Sequence, residues 1–310
     1  MTKTRRDLLV LGLMLGLLAA LPFLGLPNWV LTYTARIMAF AICAVALDLV
    51  LGYGGMVSLG HAAFLGIGSY AAGILLAENV NDFFIGLVAG AAAAGLYALV
   101  TGAVAVRTKG VAFIMITLAF GQMAFFVANA LSEYGGSDGL TLWSRAEIGG
   151  TRALARDTNL YFVILFFLAL SILIVRLVTA SPFGIALRAA RSNPERVTAL
   201  GYDVERLRLW AYVLSAVLCG VAGVLIANLS SFVSPALMAW QRSGEFIIMV
   251  ILGGAGTVWG ALAGAFAVLI LEEALSLATP HWKILFGLFL ILAVLFTRGG
   301  IAGLFDRSAK

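Results

Sequence analysis

Ten runs of apolar residues make up most of this chain, and they decide its solvent before any motif is considered. They fall at 8–26, 37–51, 62–77, 83–106, 111–131, 160–178, 209–229, 245–255, 257–278 and 284–297. Polar connections lie between them at 27–36, 78–82, 107–110, 132–159, 179–208, 230–244 and 279–283. A run of about 20 residues matches the hydrocarbon thickness of a bilayer. Only 11% of the 310 residues are charged and 62% are hydrophobic, where a soluble domain carries about 25% charged residues. Lipid offers no water to satisfy open backbone groups, so the runs must be helices. A barrel would show alternating segments of about ten residues, and these do not alternate. The sequence predicts an all-α polytopic membrane protein with about ten transmembrane helices (8–10), 1–310 forming a single transmembrane domain. Residues 27–36 and 132–159 are read as outer loops. Lys3-Thr4-Arg5-Arg6 ahead of the first run resembles a secretion signal. That run is longer than a signal core of about 7–15 residues, however, and is read as a retained first span.

Lys and Arg are divided unequally between the two sides. With the N-terminus inside and ten crossings, the cytoplasmic set is Lys3, Arg5, Arg6, Arg107, Lys109, Arg176, Arg188, Arg191, Arg196, Arg206, Arg208, Arg298, Arg307 and Lys310. The outer set is Arg36, Arg145, Arg152, Arg156, Arg242 and Lys283. This bias places both termini in the cytoplasm. The net charge of +5 is therefore orientation charge between spans, and nucleic-acid binding is excluded. Cys43 and Cys219 lie inside apolar runs without redox or metal spacing and read as small core residues.

Two of the runs, 37–51 and 245–255, are short and end in glycine. Leu51-Gly52-Tyr53-Gly54-Gly55-Met56-Val57 matches Leu252-Gly253-Gly254-Ala255-Gly256-Thr257-Val258 at four of seven positions, offset by 201 residues. Paired short, Gly-interrupted segments in an internal repeat point to a translocation site. Asp48, Gly52, Gly54, Gly55, Ser58, His61, Gly253, Gly254, Gly256 and Thr257 are the pathway candidates. Asp48 is expected to be a buried hydrogen-bond acceptor that holds the first break, and His61 a satisfied structural histidine. Gly256-x3-Gly260-x3-Gly264 reads as a small-residue packing face. Glu245, Glu272 and Glu273 also sit at membrane depth by position, the last two near enough to the outer end to reach water.

The 179–208 connection is amphipathic. Phe183, Leu187 and Ala190 recur at helical spacing with Arg188 and Arg191 off that stripe. Asn193-Pro194-Glu195 reads as a helix start: a capping Asn, Pro at the first position and an acid in the first turn. Val197, Leu200, Val204 and Leu207 continue the pattern, interrupted by Gly201. Such a helical pair lies on headgroups or docks in a partner's groove. None of the lysines (Lys3, Lys109, Lys283, Lys310) follows glycine as a P-loop requires, so this chain hydrolyses no ATP. Gly135-Gly136-Ser137-Asp138-Gly139 matches G-x-S-x-G, but without a strand-turn-helix context or a nearby histidine it is no nucleophile elbow. With two distant histidines, no metal site is expected.

Four motifs in order resemble the branched-chain amino-acid ABC importer permeases of the LivM type. They are Leu51 to Phe64, Gly135 to Leu140, Ser181-Pro182-Phe183-Gly184 through Ala199-Leu200-Gly201-Tyr202, and Ile251 to Thr257. The resemblance spans about residues 35 to 300. It implies a bacterial inner-membrane permease, non-catalytic, that binds no cofactor of its own. Its partners would be a sister LivH-type permease, two cytoplasmic ATP-binding subunits carrying ATP and Mg, and a periplasmic substrate-binding protein. Residues 179–208 become the coupling loop, through Phe183, Leu187, Arg188, Arg191, Asn193, Pro194, Glu195, Val197, Leu200 and Gly201. Gly135, Gly136, Ser137, Asp138 and Gly139 become an outer docking loop. The substrate, leucine, isoleucine or valine, is expected to meet small apolar side chains and bare backbone. Related systems carry urea, amides or aromatic acids, and an ion-coupled carrier of a small solute is the competing class.

Overall fold

A computed structural model describes residues 3–279, 281–296 and 299–307. Its helices, in chain order, are α1 (Lys3–Ala20), α2 (Asn28–Asp48), α3 (His61–Ala77), α4 (Phe83–Ala105), α5 (Val111–Ala130), α6 (Asp157–Ala180), α7 (Pro182–Ser192), α8 (Pro194–Ala199), α9 (Val204–Ser230), α10 (Trp240–Gly253), α11 (Val258–Ala278), α12 (Trp282–Phe296) and α13 (Gly300–Arg307). Among the described residues, seven helices are long and apolar enough to cross a membrane. They are α1, α2, α4, α5, α6, α9 and α11; α3, α10 and α12 are shorter. Arg298 and Lys310 of the orientation count lie outside the described residues.

The core is built around α2, which packs on α6, α9 and α11. Every residue from Ile37 to Val50 is buried. A helix apolar on all sides is a core helix, and the alanines of this stretch let its neighbours approach closely. The expected outer loop 27–36 is not found: α2 starts at Asn28, so the chain leaves helix only briefly around Gly25 and Pro27. Its polar residues do not stop the helix because their hydroxyls bond back into it. Thr32 Oγ1 donates to Asn28 O (3.1 Å) and Thr34 Oγ1 to Val30 O (2.8 Å). The 37–51 run is thus the inner part of a long span that includes a π-helical turn at Leu49–Tyr53.

A second layer joins α3, α4 and α9 through glycine. A Cβ at Gly68 would collide with the Gly220 carbonyl, and Ser69 Oγ donates to Gly223 O across the same seam (2.8 Å). Helices in contact at this range hold by dispersion and interhelical hydrogen bonding, the forces left where lipid removes the hydrophobic drive.

Two helices begin inside the bundle. The 54–60 segment turns inward, and at its end His61 reaches Ser215, which lies roughly 17 Å along α9 by helical rise. From there α3 runs to the end carrying 78–82. The 231–239 segment enters from the opposite end, and α10 starts at the same level, where Ala62 N donates to Ser243 Oγ (2.9 Å) and Phe246 meets Phe40 in mid-α2. The half-length elements are therefore α3 and α10, starting together and running to opposite ends.

The 132–159 connection is laced to the bundle. It contains β1 (Leu140–Thr141), antiparallel to β2 (Phe232–Val233) with Leu140 opposite Val233. Ala146 N donates to Asn228 Oδ1 (2.8 Å) and Phe83 N to Glu147 O (2.9 Å), while Trp143 is 98% exposed.

Candidate functional site

The two glycine breaks, two hundred residues apart in sequence, meet at one end of the bundle. The π-helical turn closing α2 loosens the ladder and leads to Gly55 at φ +69°. α10 stops at Gly253, followed by Gly254 at φ +112° and Gly256 at φ +83°. Gly55 and Gly256 are equivalent in the 201-residue alignment, and both need the left-handed backbone that glycine adopts without steric cost. Buried Asp48 ties the breaks together: its Oδ1 accepts from Gly256 N at 2.7 Å. A side chain at Gly52 would collide with Asp48 and with the Gly256 amide. Asp48 Oδ2 is buried without a hydrogen-bond partner among the described residues. Gly54 N donates to Leu49 O (3.1 Å) and Thr257 Oγ1 to Gly254 O (2.6 Å), each bracing its own break.

Gly260 and Gly264 form the close seam between α10 and α11. A Cβ at Gly260 would meet Gly253 O, and one at Gly264 would come within 3.0 Å of the Gly253 backbone. Gly256 stands outside that seam, against Gly52, which corrects the three-glycine face expected from spacing.

The pair α7 and α8 touches this junction directly. Arg191 donates to Gly52 O, and its aliphatic stem covers Gly55. The Arg188 guanidinium lies 5.6 Å from the Tyr53 ring centroid and donates to Thr179 O (3.1 Å). Asn193 Oδ1 caps α8 by accepting from Arg196 N (3.1 Å), with Pro194 and Glu195 opening the helix. Leu187 and Ala190 are fully buried, Phe183 half-buried and Val197 buried. That apolar stripe is therefore spent on this chain's own spans. The faces left for anything else carry Ile185, Glu195, Leu200, Gly201 and Tyr202, all exposed. Val204 and Leu207 already belong to α9.

Ser58 and His61 do not join this junction. They form a deeper, fully buried chain that pins the inward-turning segment to α9. Ser215 Oγ donates to Ala46 O (2.6 Å), so toward His61 it can only accept. His61 Nε2 then carries the proton, and Nδ1 accepts from Ser58 Oγ (2.9 Å).

At the far end, Ser137 sits in a short 3-10 turn (Gly136–Asp138), with its Oγ on Asp138 Oδ1 (3.3 Å). Gly135 and Gly139 adopt positive φ where the turn folds under β1 and β2. No group of three metal-ligating side chains exists among the described residues. Sequence reasoning missed two arginines. Arg36 and Arg242, assigned to loops, stand on α2 and α10 with guanidinium carbons 5.7 and 5.4 Å from the Phe40 ring centroid. The signal available was an aromatic one turn beyond Arg36 on an otherwise apolar stretch.

Residues 29–295 match the family described as the branched-chain amino acid transport system permease component. The high-affinity branched-chain amino acid transport system permease protein LivM of Escherichia coli (strain K12) is 25% identical, over 96% of this chain and 76% of that protein. The corresponding LivH of Salmonella typhimurium is 26% identical, over 85% of this chain and 91% of that protein. An L-arabinose ABC transporter permease protein, AraH of Azospirillum brasilense, is 25% identical over 78% of the chain and 72% of that protein. No solved structure matches.

Proposed function

The chain belongs to the branched-chain amino acid transport permease family, and from that premise we propose that it is the LivM-type transmembrane subunit of an ATP-driven importer for leucine, isoleucine and valine. The full chain forms one permease domain that passes the bacterial inner membrane ten times, three of the passes being the short helices α3, α10 and α12. The two breaks are halves of an internal repeat, and both termini are cytoplasmic, on the side of α7 and α8. A sister LivH-type permease completes the pathway. Two ATP-binding subunits holding ATP and Mg seat on the exposed face of α7 and α8, and a periplasmic binding protein docks on the laced 132–156 segment. This chain contributes no catalytic residue.

The observation that carries the reading is the Arg191 contact to Gly52 O. A cytoplasmic helix that moves with an ATPase then pulls on the backbone of the first break, and Asp48 passes the pull to Gly256. Motion applied at α7 reaches both halves through two hydrogen bonds.

The test is purification of the chain from its own membrane in a mild detergent, with mass spectrometry of what accompanies it and uptake of radiolabelled leucine by the parent cells. Co-purification of a sister permease and two ATP-binding subunits, with ATP-dependent uptake, is the expected outcome. A chain recovered alone that still transports, driven by an ion gradient, overturns it.

A further inference from the structure

A cavity of about 750 Å³ opens at the end opposite α7, between α2, the end of α9, residues 232–237 and α11. Its walls include Trp29, Leu229 and Leu237, with Phe40 at the level of Arg242. That volume falls within the usual range for small-molecule sites, which are mostly apolar with a few placed polar groups.

Three charges line it, Arg36, Arg242 and Glu273, and the opposite pair Arg36 and Glu273 do not meet. Among the described residues, neither the Arg36 guanidinium nor the Glu273 carboxylate makes a hydrogen bond or an ion pair. Arg36 lies over the Phe40 ring, whereas Arg242, beside the same ring, is paired with Glu245. The spacing is enforced by the fold. Tyr33 OH donates to Leu269 O (2.6 Å) and links α2 to α11. Arg36 lies one turn beyond Tyr33 toward the bilayer centre, and Glu273 one turn beyond Leu269 toward the outer end. The two stems are thus staggered by roughly 10 Å along the helices. Arg36 is exposed and Glu273 half-buried on the cavity wall, so a ligand that bridges them gains charge-assisted hydrogen bonds to both.

We infer that this cavity binds the zwitterionic head of an α-amino acid, with Arg36 holding the carboxylate and Glu273 the ammonium. The inference rests on the importer reading and gives it a binding site. A branched aliphatic side chain lies along Leu229, Leu237 and Trp29. Urea, a simple amide or a sugar brings no such pair of charges and leaves both residues uncompensated. The site also replaces the expectation that substrate meets only small apolar side chains and bare backbone.

The test measures tritiated L-leucine binding to the full chain in lipid nanodiscs, alongside leucine uptake by cells carrying the intact system. Competitors are leucinamide, which lacks the carboxylate, and 4-methylpentanoate, which lacks the ammonium. Wild type is expected to prefer leucine over either by tenfold or more, the range of a charge-assisted hydrogen bond. Arg36→Gln should erase the preference over leucinamide alone, with Arg36→Lys keeping much of it. Glu273→Gln should erase the preference over 4-methylpentanoate alone. Preferences unchanged in the variants, a parallel loss of all three ligands, or a wild type that binds no leucine while the cells import it, would each overturn the site and leave the importer standing. Cells that import no branched-chain amino acid overturn the importer reading, and this substrate assignment with it.

Discussion

The two breaks share a left-handed glycine at the same aligned position, yet they are built for different work. The first is loose. A π-helical turn precedes it, seven residues (54–60) follow before α3, and its backbone is held from outside by Arg191 and Tyr53–Arg188. The second is tight. Four residues, 254–257, join α10 to α11, the helices touch backbone to backbone at Gly253, Gly260 and Gly264, and Gly299, just before α13, closes over Gly254 with Ala302 of that helix. One break is held by side chains reaching in from α7, the other by backbone packed on backbone. Asp48 is the link, and it belongs to the first break while its donor belongs to the second.

This contrast can be broken in order of expected effect. Gly253→Ala drives a methyl into the Gly260 carbonyl and should cost about 3 kcal/mol, seen as loss of folded protein in a detergent thermal-unfolding assay. A tolerated Gly253→Ala would show that the second break is no more rigid than the first. Asp48→Ala removes the only hydrogen bond between the breaks among the described residues and should destabilise by about 2 kcal/mol. Asp48→Asn keeps an acceptor for Gly256 N and should cost less than half of that in the same assay. Thr257→Val loses the brace within the second hairpin, a cost of about 1 kcal/mol. Arg191→Ala should change stability by under about 1 kcal/mol, because the residue as a whole is exposed. It should nonetheless lower ATP-driven uptake tenfold or more while ATP hydrolysis continues, and uptake at the wild-type rate would show that the contact at the first break does not couple. Leu200→Ala, exposed at the end of α8, should alter stability within about 0.5 kcal/mol, so that a large loss of ATPase co-purification identifies it as contact surface.

Much of this was legible in the chain itself. Period and length mark the spans, and Asn193-Pro194-Glu195 marks the start of α8, because capping is a local event decided by adjacent residues. The glycine breaks were legible for the same reason. Which flank of the first break is the short one was not, since Asn28 to Arg36 read as a loop by polarity while their hydroxyls fold back onto the helix. Nor could spacing show that the junction joins Asp48 to Gly256, or that Ser243 lies against Ala62. Those contacts are set by how α2, α3 and α10 cross, and no local pattern carries them. Arg36 and Arg242 were misplaced by the same habit, which counts a charge as a boundary even when an aromatic ring inside the span receives it.

The shared starting level of α3 and α10 has an electrical meaning. Each helix start presents unsatisfied amide N–H groups, equivalent to about half a positive charge, and neither has a side-chain cap apart from the Ser243 hydroxyl that meets Ala62 N. Two such ends lie at one depth of the bundle, where the Ser243 hydroxyl is the link between them, so partial positive charge gathers at that level.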